Sequence, residues 1–372
     1  MSKKFSVFLT VLFCAFIGCM SVASLLLPDK DFSPLENRYL QKPPKLSAET
    51  LSSGKFMEEA EDYVSDHILG RDFWVAAKAW SERLSGKKEN NGVYFAAQDT
   101  LISRVDPPDP ADLEQKIGYV DALAGNISVP VYFGLIPSAA EIWRDRLPAG
   151  APTAEEKAVI EQLYFSTGAN VIDMYTALAS HSGEDIYYRT DHHWTSLGAF
   201  YGANAVFEAM GLEPISLEDY QKTTVSNQFN GTLFSSSGVR WLAPDSIDAY
   251  IPDQGIEVTS WFRGAPVEGS LYVDSWLAEK DKYSYFLGGR QALCVVKKEG
   301  SAGPRVMLVR DSYSDSLTPF LTERFSEIHL IDPRDNLSSI REYAEANNID
   351  AVIVLYSFSN FLTDRNLFVL AR

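Results

Sequence analysis

The pattern of apolar and polar positions changes character repeatedly along the chain. From Phe5 to Leu27 there is an uncharged, predominantly apolar run. In helical form it would cover about 35 Å, enough for a bilayer core. Residues 28–50 hold Pro28, Pro34, Pro43 and Pro44 and keep no sustained period, which predicts an extended stem. Between Ser53 and Leu84, Phe56, Ala60, Tyr63, Val64, Ile68, Phe73 and Trp74 recur mainly at three- and four-residue steps, predicting two helices broken near Gly70. Gly92–Phe95 and Leu101–Ile102 then predict a short hairpin.

Beyond Pro107 helical and strand periods alternate. Helices are expected over Asp112–Ala124 and Ala154–Phe165, and buried strands over Pro130–Ile136 and Ala169–Asp173. After Thr190–Thr195 comes a helix with Leu197, Phe200, Ala203, Phe207 and Met210 on one face, capped by Thr195 or Ser196. Residues 213–300 break into short runs rich in Ser, Thr, Tyr and Gly, such as Tyr283–Leu287, and predict a β-rich insertion. The alternation resumes with strands at Arg305–Val309, Glu327–Ile331 and Ala351–Tyr356 and a helix over Leu337–Ala346. Strands separated by helices pair in parallel, so the expected fold class is α/β, a three-layer domain with a mostly parallel sheet. The expected organisation is an N-terminal segment 1–27, a stem and helical lead 28–100, and an α/β domain 101–372 carrying the insertion.

Composition sharpens this picture at three points. With 46% hydrophobic and 12% aromatic residues the chain can fill a large core. A net charge of −17 repels polyanions, which excludes nucleic acid as a partner. Of three cysteines, Cys14 and Cys19 lie in the first apolar run and Cys294 stands alone, so neither a disulfide framework nor a cysteine metal site can form. Lys3 and Lys4 before the apolar run, with Asp29 and Asp31 after it, orient the rest of the chain out of the cytoplasm. The segment serves as a single-pass plasma-membrane anchor, as a cleaved signal, or as a lipoprotein-type signal with its lipid on Cys19; each outcome exports the domain.

In parallel sheets catalytic groups collect at the carboxyl ends of the strands. Ser312 stands there, three residues past the strand ending at Val309. A serine hydroxyl needs a base, and among five histidines His193 is the best candidate. Asp191, two positions earlier, falls on the same side of an extended segment and can hold one ring nitrogen, while His192 would point the other way. The bland alternative is that Asp191 caps the following helix and Ser312 is a turn serine. His67, His181 and His329 also have acids nearby but lie away from a strand-to-helix junction and read as structural. A metal reading, with Asp191, His192 and His193 as ligands, lacks the further Asp and His ligands of the DHH phosphoesterases, so no metal and no cofactor is expected.

Asp191-His-His-Trp-Thr195, together with Asp311-Ser-Tyr313 and the tail from Asn348-Ile-Asp350 to Asn360-Phe-Leu362, resembles the bacterial DHHW family. Glu36-Asn-Arg38, Asp66-His67, Arg71 and Asn91-Gly-Val-Tyr94 extend the likeness over most of the chain. That family in turn resembles the SGNH-hydrolase-like periplasmic proteins of alginate O-acetylation. The resemblance implies a flavodoxin-like SGNH fold with Asp191 as orienting acid, His193 as general base and Ser312 as nucleophile. It also implies acetyl transfer to, or ester hydrolysis on, a cell-envelope or secreted polysaccharide, with a multi-span membrane acyltransferase as donor partner. A non-catalytic glycan-binding or assembly factor remains open beside it. Arg310 replaces the glycine of the esterase Gly-Asp-Ser signature, and no asparagine of an oxyanion hole can be assigned. The Ser312 and Tyr313 amides, or Gly288 and Gly289, are candidate oxyanion donors, and Trp194 and Tyr313 are candidate sugar-stacking residues.

Overall fold

The computed structural model describes residues 3–252, 254–262 and 264–372. Two compact units are present, one from the chain up to Asn90 with Phe234–Trp241, the other from Asn91–Leu233 and Leu242–Arg372.

In the smaller unit, helix α1 (Lys3–Leu26) buries none of its residues and is long and apolar enough to cross a membrane. Its end is tied down where the Leu69 amide donates to Ser24 Oγ at 2.8 Å and the Tyr63 hydroxyl donates to Asp29 at 2.7 Å. Helices α2 (Lys55–His67) and α3 (Arg71–Leu84) are separated at Gly70, whose φ of 70° is the left-handed conformation that interrupts a helix at least cost to glycine. These helices bury little: Met57, Val64, Phe73 and Leu84 stay exposed. An ionic cluster organises the unit instead. Arg71 bonds Glu36 at 2.6 Å, Arg38 bonds both Glu36 and Asp66, and Asp66 also accepts the Gln41 amide at 2.8 Å.

The larger unit is built on an eight-stranded sheet. In chain order its strands are β1 (Val131–Ile136), β2 (Asn170–Ile172), β3 (Ile256–Trp261), β4 (Val267–Gly269), β5 (Leu293–Lys298), β6 (Arg305–Arg310), β7 (Glu327–Ile331) and β8 (Ala351–Ser357). The spatial order is β4-β3-β5-β7-β6-β8-β1-β2. From β7 to β2 all pairings are parallel, whereas β5, β3 and β4 add to the β7 edge antiparallel. The near-continuous burial of β1, β6 and β8 is what a parallel sheet covered on both faces requires. Helices α4 (Pro110–Asn126), α5 (Glu156–Ser166), α6 (Ser196–Ala209), α7 (Tyr313–Leu321), α8 (Ile340–Ala346) and α9 (Phe358–Thr363) complete the alternation.

Two expectations change here. The β-rich stretch 213–300 contributes β3, β4 and β5 to the main sheet, because Cys294 and Val296 on β5 are buried against β7; Thr223–Phe229 and Asp245–Ala249 pair with each other apart from it. Tyr283–Leu287 is not a strand. Lys282–Tyr285 forms a 3₁₀ turn, since Tyr283, Tyr285 and Phe286 enter one aromatic cluster with Tyr188 and Phe229, which strand alternation would divide between two faces.

Candidate active site

Strand β6 ends at Arg310, and the chain turns through Asp311 and Ser312 into α7. Asp311 builds that turn. Its Oδ1 accepts the Tyr313 amide at 3.0 Å, while Oδ2 accepts the Ser357 amide (2.9 Å), the Ser357 hydroxyl (2.6 Å) and Asn360 Nδ2 (2.8 Å). The serine turn is thereby pinned to the carboxyl end of the adjacent parallel strand β8. One turn into α7, Asp315 pairs with Arg310 at 2.8 Å, both side chains almost fully enclosed. Burial drives the Asp315 carboxyl up to about 7 against the pull of Arg310.

The second half comes from Tyr187–Trp194, whose ends form a β-bridge. His193 Nε2 lies 2.8 Å from Ser312 Oγ, and its Nδ1 lies 2.6 Å from Asp191 Oδ1. Asp191 Oδ1 also accepts the His193 amide at 3.0 Å; Oδ2 accepts the Thr232 amide at 2.7 Å and the Thr232 hydroxyl at 2.9 Å. Burial by itself would raise the Asp191 carboxyl, but the His192 and His193 imidazoles and these hydrogen bonds hold it far below the usual carboxylate range. Asp191, His193 and Ser312 thus meet in one unbroken hydrogen-bond chain.

Several supporting residues carried no signal in the linear pattern. Tyr283 lies flat on the His193 ring, centroids 3.8 Å apart and planes 9° apart, and its hydroxyl donates to the Ser312 carbonyl at 3.1 Å. Gly231 is obligatory beside Asp191, because a Cβ there would stand 2.2 Å from the Asp191 Cβ. Thr190 and Asp245 hold the same loop through two bonds, the Thr190 amide and hydroxyl both donating to Asp245 Oδ2. The Asn230-Gly231 dipeptide marks a turn in sequence, but nothing local says that the turn faces an acid nearly forty residues upstream.

Other expected positions are corrected. His192 does not point away from His193; Thr190–His193 is bent rather than extended, and the two rings lie 3.9 Å apart at 37°. Trp194 is wholly buried, with its indole N–H donating to the Tyr313 carbonyl at 2.9 Å and its ring against Gly202 of α6, so it presents no face to a sugar. Tyr313 is 3% exposed, and its hydroxyl donates to the His192 carbonyl, so it is equally unavailable. The Tyr313 amide is taken by Asp311 and the Gly288 amide by the Ser284 carbonyl; a Cβ on Gly288 or Gly289 would face Val273, Trp276 or Ser284. The Ser312 amide has no partner among the described residues.

Donor atoms of Asp191, His192 and His193 fall within 4.8 Å of one another, a spacing that invites a metal ion. The donor set does not fit one. Both Asp191 oxygens and both His193 nitrogens are already hydrogen-bonded, and His192 Nδ1 meets Thr232 Oγ1 at 2.7 Å. One free nitrogen is not a metal site.

The model of the DHHW protein family matches residues 116–331, more than half of the chain and both halves of this site. The chain belongs to the DHHW family. A DHHW family protein from Eubacterium siraeum has 25% sequence identity and a TM-score of 0.67, the match covering 76% of this chain and 95% of that one. Bacillus cereus PatB1, solved with a sulfonyl adduct, shares the fold at 18% identity and a TM-score of 0.61, covering 75% of this chain and 100% of its own. A second PatB1 structure gives 20% identity and a TM-score of 0.60, with 73% and 97% covered. No curated protein sequence matches the chain. Within this DHHW protein the remaining histidines bond away from this site: His181 to Glu184 at 2.6 Å, His67 to the Tyr63 carbonyl at 2.9 Å, and His329 to Glu327 and Tyr343.

Proposed function

We propose that this DHHW protein is an extracytoplasmic serine O-acetyltransferase acting on a cell-envelope or secreted polysaccharide, on a three-layer SGNH-like fold. The observation that carries this reading is the chain of hydrogen bonds from Asp191 through His193 to Ser312 Oγ. His193 Nε2 takes the Ser312 proton as Oγ bonds the acyl carbon, and returns it to the leaving group as the donor's ester bond breaks. The sugar hydroxyl then gives its proton to His193, its oxygen takes the acyl group, and Ser312 recovers its hydroxyl. Asp191 holds the imidazole with Nδ1–H toward the carboxylate and stays charged throughout. The unpartnered Ser312 amide supplies one oxyanion donor.

In this reading α1 anchors the protein by a single pass in the bacterial plasma membrane, with the chain that follows it outside, beside a multi-span acyltransferase that delivers the acetyl group. Hydrolysis of an acetyl ester uses the same groups with water as acceptor, and the Asp191–His193–Ser312 chain by itself favours neither acceptor. A glycan-binding protein without chemistry would have no need of a serine hydroxyl in line with a carboxylate-held imidazole.

The test is a chromogenic acetyl ester and a sulfonyl fluoride probe applied to the full chain in detergent, with Ser312→Ala and His193→Ala alongside. Ester turnover and a covalent adduct on Ser312, both lost in the variants, support the reading. A folded wild type that neither turns over the ester nor takes the probe removes the enzyme and leaves the binding protein. Free acetate as the sole product, with no acetylated glycan, replaces the transferase by the esterase.

A further inference from the structure

The second imidazole of the motif has no part in the hydrogen-bond chain just described, yet its protonation follows from its neighbours. The Asp191 carboxylate can only accept, so the Thr232 hydroxyl, 2.9 Å from Oδ2, must donate to it. Having spent its one hydrogen there, Thr232 Oγ1 can only accept from His192 Nδ1, 2.7 Å away. His192 therefore carries a hydrogen on Nδ1, and in its neutral form the lone pair lies on Nε2. Enclosure by the protein and the neighbouring His193 imidazole lower its pKa to about 4, which keeps that lone pair available at neutral pH. Nε2 has no partner among the described residues, and the side chain retains 37% exposure, against 7% for His193. Beside the buried imidazole that serves Ser312, a second one thus faces solvent, oriented and ready to accept a hydrogen bond.

We propose that His192 Nε2 binds a second hydroxyl of the acceptor, so that the site selects vicinal diols, the arrangement on adjacent carbons of a sugar ring. This rests on the acyl-transfer reading and specifies its acceptor. The two ring centroids lie 3.9 Å apart, so the proposal gives each of two hydroxyls on neighbouring carbons its own imidazole. The reacting hydroxyl loses its proton to His193 Nε2 as its oxygen bonds the acyl carbon; the acyl–Oγ bond of Ser312 breaks, and that proton passes to Oγ. The adjacent hydroxyl keeps its own hydrogen and donates it to His192, which takes no proton. Water lacks the second hydroxyl and gains nothing from His192, so this contact biases the acyl-enzyme toward transfer.

The experiment loads the full chain from p-nitrophenyl acetate and measures, within each variant, the ratio of acetyl transferred to acetyl hydrolysed. Acceptors are methyl glycosides with vicinal diols and their singly deoxygenated analogues. His192→Phe should lower the transfer ratio for diols by about three- to tenfold, the worth of one neutral hydrogen bond, and leave the deoxy analogues unaffected. His192→Gln, which can present an amide oxygen, should recover part of it. A ratio unchanged by His192→Phe overturns the inference, as does a wild type that acylates Ser312 yet transfers to no diol or treats diol and deoxy acceptors alike. A wild type that never acylates Ser312 fails earlier, at the release of p-nitrophenol, and strikes the acyl-transfer reading itself.

Discussion

The larger unit holds two acid-x-His pairs of identical spacing, Asp191 with His193 and Glu327 with His329. Both put a carboxylate oxygen against an imidazole nitrogen, at 2.6 and 2.8 Å, and both imidazoles are nearly buried. They differ in what the other nitrogen meets. His193 reaches a serine hydroxyl in the turn at the carboxyl end of β6; His329, in the middle of β7, reaches the Tyr343 hydroxyl on α8 at 2.8 Å. Asp191 sits in a bend where four donors close around it, while Glu327 lies on a strand and pairs with Lys297 and Arg305. Spacing alone makes an oriented imidazole. Location in the sheet decides whether a nucleophile stands at its far end.

The comparison breaks most severely at Ser312. Ser312→Ala should reduce ester turnover by at least ten-thousand-fold and abolish covalent labelling, measured against a wild type of matched circular dichroism. Asp191→Asn comes next, at roughly a thousand- to ten-thousand-fold in kcat, because an amide can present N–H where the imidazole needs an acceptor. Tyr283→Leu removes the ring stacked on His193 and the hydroxyl that holds the Ser312 carbonyl. About a tenfold loss of kcat with little change in KM is expected, comparable to the loss of positioning contacts rather than of a reacting group.

The other pair gives effects of a different kind. His329→Leu should leave esterase activity within twofold while lowering stability by roughly 1–3 kcal/mol, read as a shift in urea midpoint, because Tyr343 and Glu327 lose their partner. Its smallest signature is a pH slope. Burial depresses the folded-state pKa of His329 below its ordinary value despite Glu327, so between those two values the unfolded chain binds the extra proton. Wild-type stability should fall as pH drops from 7 through the ordinary imidazole range, and that part of the fall should be missing in His329→Leu. If the slopes coincide, folding does not depress His329 and the contrast with the serine-linked pair narrows.

Much of this layout was legible in the chain. The alternation of buried runs such as Val306–Val309 and Val352–Leu355 with helical periods gave the elements of the parallel core, and the strand-end rule pointed to the turn that holds Ser312. What stayed hidden depends on partners distant in sequence. Tyr283 reads locally as part of a strand, and only the fold lays its ring on His193. Trp194 looks like a sugar platform beside a candidate base, whereas Gly202 on the next helix lets it sink into the core. The bend at Thr190–His193, set by Asp245 some fifty residues on, turns two imidazoles toward each other where alternation would separate them. Antiparallel addition of β3, β4 and β5 to the sheet was hidden for the same reason, since a short strand carries no mark of its neighbour.

The four donors around Asp191 have a further consequence. With two hydrogen bonds on each oxygen, the carboxylate offers an incoming proton no vacant lone-pair direction, and protonation would cost at least one of the bonds that shape the loop. The site therefore carries a built-in counterion rather than a titrating acid.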